Sequence, residues 1–156
     1  MPTPSLDLSI HPGDLPILGR LGIAALAGAL IGWNRYRAGK PAGVGTHALV
    51  ALGSALFVLV PVQVGGAGSD AFSRVVQGIA TGVGFLGAGE IFRDSRHGNR
   101  VHGLTSAASI WVTAALGVLA GCGTGLLIAA TTVLILAIMI LAPCLERRPP
   151  EPPRSA

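Results

Sequence analysis
Five apolar stretches, Ile17 to Trp33, Thr46 to Val64, Ala71 to Phe92, Leu104 to Ala120 and Cys122 to Ala142, occupy most of the 156 residues. Each is long enough, or nearly so, to cross a hydrocarbon core of roughly 30 Å as an α-helix. Hydrophobic residues make up 51% of the chain, charged residues 12%, and the mean hydropathy is +0.66. A small soluble domain with that balance would leave a large apolar surface in water. The expected fold is all-α: a polytopic membrane bundle of five transmembrane helices.

The charges give a second test. With the N-terminus outside, the inner segments are Asn34 to Gly45, Arg93 to Gly103 and the tail from Pro143, and they hold nine of the eleven basic residues. Asp7, Asp14 and Asp70 fall in the outer segments, with Arg20 and Arg74 just inside the ends of spans one and three. Basic residues therefore alternate between sides in step with the spans, as the positive-inside rule requires. The expectation is an extracytoplasmic segment 1–16, a transmembrane region 17–142 and a cytoplasmic Pro/Arg-rich tail 143–156. The first sixteen residues carry no Lys or Arg, so they lack the basic start of a cleaved signal peptide. The net charge of +4 is spread over short loops, which fits orientation and anionic lipid better than nucleic acid.

In the third stretch, "TGVGFLGAGE" places Gly82, Gly84 and Gly87 at the spacing of a dinucleotide fingerprint. That fingerprint needs a preceding strand and a later acidic residue on a second strand, and neither context is present. Close helix packing is the alternative, because lipid does not drive helices together and small residues let backbones approach. Gly78, Gly82 and Gly89 share one face of span three, with Gln77, Thr81, Gly84 and Ala88 beside it. Span three is accordingly expected at the centre of the bundle, with the bulky face of Phe72, Val76, Ile79 and Val83 toward lipid. On span one, Gly22, Ala25, Ala29 and Gly32 align, and on span four His102, Ser106, Ser109, Thr113, Gly117 and Ala120. Gly28, Gly32, Gly78, Gly82, Gly84, Gly87 and Gly89 are the candidate packing glycines.

Four segments, "GALIGWNR", "AGVGTHALVALGSALF", "QGIATGVGFLGAGEIFRD" and "VHGLTSAASIWVTAALG", resemble in order and spacing the hydrophobic domain of the MgtC/SapB family of bacterial inner-membrane proteins. The resemblance covers about Leu18 to Ala142. It implies a role in adaptation to low magnesium and, in pathogens, survival inside host cells, through regulation of other membrane machinery such as ATP synthase. Longer members carry a cytosolic C-terminal domain after the fifth span, so the expectation is a short member with the membrane domain alone. Three positions depart from the family pattern: Asn34 stands in place of Glu, Gly45 in place of Arg, and Glu90 in place of an apolar residue.

Carried onto this sequence, the resemblance marks Arg93 and Asp94, Thr105 and Trp111 as candidates, with Asp94 matching the family's acidic position. Thr46, His47, Gln77, Ser109 and Glu90 join them from the residues themselves. Gln77, Thr81, His47, Ser109 and Thr113 could line a polar seam, whereas His47 at a helix start also reads as a polar cap residue. Glu90, on the bulky face near the inner end, reads as a snorkelling carboxylate paired with Arg93 or another loop base, or else as a cation or proton ligand. No carboxylate sits at mid-membrane, so transport of magnesium or another cation ranks below regulation through helix contacts. Nothing has the spacing of a nucleophile with its base, a metal set or a cofactor motif, and an enzyme is not expected. The expected partners are the lipid bilayer, another membrane protein and a further copy of the chain, in the bacterial plasma membrane.

Overall fold
The computed structural model describes residues 13–63, 69–94 and 100–145. Most of the N-terminal segment, the middle of the 93–103 loop and the tail beyond Leu145 lie outside them. Five helices follow in order: α1 Asp14–Arg37, α2 Val44–Gln63, α3 Ser69–Glu90, α4 Leu104–Gly121 and α5 Gly125–Leu145. α1, α2, α4 and α5 are each long and apolar enough to cross a membrane. α3 has the length but a more polar composition, and it runs alongside α4.

The ends of the helices follow from local chemistry. Asp14 opens α1 and Arg35 and Arg37 close it, so both charges complement the helix dipole. Gly39, at φ +67, turns the chain out of α1 while its N–H bonds the Tyr36 carbonyl at 3.0 Å. The segment between α3 and α4, expected to be a loop, carries a short strand pair: β1 Phe92–Asp94 pairs antiparallel with β2 Arg100–His102, Arg93 opposite Val101. Gly103 returns the chain into α4 at φ +91, and a Cβ there would collide with the Glu90 carbonyl. The end of α3 and the start of α4 are thereby locked together.

The core is built from small residues. Ala24, Ala27 and Ile31 of α1 meet Ala51 and Ala55 of α2, Leu116 and Ala120 of α4, and Ile128 of α5. A Cβ on Gly28 would overlap the His47 carbonyl, and one on Gly117 would overlap the Ala51 carbonyl. At these contacts backbone approaches backbone, and dispersion over the close contact holds the helices where the hydrophobic effect cannot. At the far end, Arg20 Nη1 donates to the Gly121 carbonyl at 3.1 Å, supplying a donor to the end of α4.

Two expectations for α3 are corrected. The central helix is α4, which touches every other helix and is half buried, while α3 lies on the flank against α4 and α2. Its bulky face also turns inward: Val83 and Ile79 pack with Ala42, Val50, Ile110 and Ala114. Gly78, Gly82, Gly84 and Gly89, expected to be contact residues, have nothing within 4 Å of a would-be Cβ. The reason is that α4 presents small side chains such as Ala107 and Ala114, against which bulky side chains fill space better than glycine does.

Gly117→Val should therefore cost about 1–3 kcal/mol of bundle stability by overpacking. Gly22→Ala, on an open face of α1, should be neutral or stabilising by up to about 1 kcal/mol. Thermal unfolding of the two variants in one detergent checks the contrast.

Candidate functional site
Gly28, Gly32 and Arg35 follow one another on the face of α1 that meets α2 and α4, at spacings of one helical turn. The tight approach of the two glycines brings Arg35 into the bundle, where it is 4% exposed. His47, in the first turn of α2, is completely buried, and Ser106, Ser109 and Thr113 line the facing side of α4. A charged and hydroxylated cluster thus closes the end of the bundle where α1 ends and α2 and α4 begin.

Its hydrogen bonds form a chain. Arg35 Nη2 donates to Ser106 Oγ at 3.0 Å, and Ser109 Oγ lies 2.7 Å from the Ser106 carbonyl. His47 Nδ1 lies 2.9 Å from the Gly43 carbonyl, which can only accept, so Nδ1 carries the proton. His47 Nε2 lies 3.0 Å from Ser109 Oγ. A neutral imidazole needs the Ser109 proton at Nε2, in competition with the Ser106 carbonyl. An imidazolium would donate to Ser109 and leave that hydroxyl for Ser106. The cluster therefore has two hydrogen-bond arrangements that differ by one proton.

Thr113 and Ser54 return their hydroxyls to the carbonyls of Ser109 and Val50, at 2.7 and 2.8 Å, so neither leaves a polar group bare in the core. Arg35 Nε is buried without a hydrogen-bond partner among the described residues. Glu90 forms no ion pair with Arg35 among the described residues and acts on Arg35 and His47 only at longer range. Glu90 is half-buried at the end of α3, on the helix face that carries Ile79 and Val83. Gly103 then fixes the backbone at Glu90.

Of the candidates read from the sequence, the fold brings His47 and Ser109 together. Gly28 and Gly32 meet α2, and Gly87 meets Ala107 at 3.5 Å. Thr46, Gln77 and Thr105 are exposed, and Trp111 is 54% exposed, away from the cluster. Gln77 and Thr81 lie apart from His47 and Ser109, so the polar seam drawn through all of them is two separate surfaces. Arg93 and Asp94 are placed by their backbone in β1. Arg35 and Ser106 were not singled out as site residues, although the Gly28–Gly32–Arg35 spacing carries the signal. Among the described residues, no three of His, Cys, Asp and Glu gather as a metal set.

The sequence model of the MgtC family matches residues 21–148. Protein SrpB of Synechococcus elongatus is 58% identical over 113 residues, 67% of this chain and 62% of that protein. The "putative magnesium transporter YhiD" of Escherichia coli K12 is 43% identical over 111 residues, 67% of this chain and 50% of that one. Protein MgtC of Salmonella typhimurium is 41% identical over 126 residues, 81% of this chain and 52% of that one. The chain thus spans between half and two thirds of the length of these curated relatives, and no solved structure matches it. It belongs to the MgtC family.

If Glu90 neutralises Arg35, Arg35→Met and Glu90→Gln should each destabilise the bundle, and the double variant should cost less than their sum by about 1 kcal/mol or more. Ser109→Ala should cost about 1–2 kcal/mol by leaving His47 Nε2 unpaired. Unfolding midpoints of the unsubstituted chain and the four variants in one detergent check both; strictly additive losses would separate Glu90 from Arg35.

Proposed function
Taking membership of the MgtC family as the premise, we propose that this chain is a multi-pass protein of the bacterial plasma membrane that serves magnesium or stress homeostasis by regulating other membrane proteins through helix contacts. The observation that carries the reading is the closed axis of the bundle. From the His47 cluster to the far end, the space between α1, α2 and α4 is filled by Ala51, Ala55, Val58, Leu116 and Ala120, all buried and apolar. An ion path needs continuous hydration or a succession of ligands, and these layers supply neither. The cluster itself is a set of groups bonded to one another, which favours a structural or proton-responsive role over a cargo site.

The distribution of basic residues supports an orientation with the N-terminus outside and the C-terminus inside. In that orientation the Arg35 and Glu90 end faces the cytoplasm, beside the hairpin, where a soluble or membrane partner could reach it. A second reading, transport, has in its favour the printed name of the Escherichia coli relative. It would require a path outside the closed axis, between this chain and another.

Magnesium uptake at limiting external magnesium should be the same in a deletion strain and in the strain carrying the gene, while growth is impaired only in the deletion strain. Uptake that falls on deletion and returns with the gene would favour transport.

A further inference from the structure
The flank of α3 is built the wrong way round for a helix facing lipid. Its inward side carries Val76, Ile79 and Val83. Its outward side carries Asp70, Arg74, Gln77, Thr81, Phe85 and Ala88, all exposed and all within about a quarter of the helix circumference. Thr81 satisfies its hydroxyl on the Gln77 carbonyl at 2.9 Å. The Gln77 amide finds no partner among the described residues, and it lies roughly 12 Å along the helix from its start, which in a bundle of five spans falls within the depth of the hydrocarbon. Polar groups at that depth face protein or water rather than lipid.

We infer that this face of α3 docks against the same face of a second copy of the chain, in a two-fold pair whose axis runs along the membrane normal. Two copies inserted in one orientation place their α3 helices side by side and parallel. Asp70 of each then lies one turn from Arg74 of the other, giving two reciprocal ion pairs at the membrane edge. Neither residue has an ion-pair partner among the described residues. One turn deeper, Gln77 meets its own counterpart, and an amide both donates and accepts, so two reciprocal hydrogen bonds satisfy both. Gly78 and Gly84 flank the ridge and Ala88 lies on it, with little or no side chain, allowing the backbones to approach.

The charge pattern selects a copy over an unrelated helix. A different partner would have to present a base opposite Asp70, an acid opposite Arg74 and an amide opposite Gln77 at matching depths. A second copy supplies all three by symmetry. The pair rests on α3 alone and stands whether the chain regulates or transports.

The test uses the full chain in native membranes, with Cys122→Ser and Cys144→Ser removing the two native thiols. Under mild oxidation, Thr81→Cys and Ala88→Cys should each give a covalent dimer, and Leu134→Cys, exposed on α5, should give none. Asp70→Arg and Arg74→Asp should each weaken self-association in liposomes at least about fivefold. The double exchange Asp70→Arg with Arg74→Asp should restore it, because the pairing is reciprocal. Circular dichroism establishes that each variant is helical before it is scored. Equal crosslinking at Leu134, crosslinks only to a protein of another mass, or a double exchange no better than folded single variants would overturn the proposal.

Discussion
The contact on which the rest of the structure depends is backbone against backbone where α1, α2 and α4 meet. Gly28 admits the carbonyl of His47, Gly32 admits Gly43 and Val44, and Gly117 admits the carbonyl of Ala51. In lipid there is no hydrophobic gain from bringing helices together, so contact of this closeness is what holds them. It also sets the chemistry. The approach at Gly28 and Gly32 delivers Arg35 and His47 to the hydroxyl face of α4, and the Ser106 and Ser109 bonds follow from that placement.

A buried guanidinium is costly unless its charge is answered, and removing its partner is more damaging than never having the pair. Glu90, on α3, is a carboxylate that acts on Arg35 at longer range without an ion pair among the described residues. The hairpin and Gly103 matter for this reason: they hold the end of α3 against the start of α4, keeping Glu90 within electrostatic range of Arg35 and His47. Packing, turn geometry and charge are thus linked at one end of the molecule, while the other end relies on the simpler Arg20 bond to Gly121.

Much of this was legible from the residues. The lengths of the apolar stretches reveal the helices, and Ser106, Ser109, Thr113 and Gly117 align on one face of span four as the structure has them. The orientation of α3 was not legible. The rule that small residues mark helix contacts does not say whether the contact lies within one chain or between chains, and for Gly78 and Gly82 it is not within the described chain. Arg35 was hidden for another reason: near a span end, a basic residue reads first as an orientation signal, and only its register with Gly28 and Gly32 betrays that it points inward.

The central claim is that the bundle is closed along its axis and acts by contact. The most direct measurement is magnesium entry into liposomes containing the purified chain and an enclosed magnesium indicator, with empty liposomes alongside. The account predicts entry at the rate of the empty vesicles over a range of external magnesium. Saturable entry that scales with the amount of protein would contradict it.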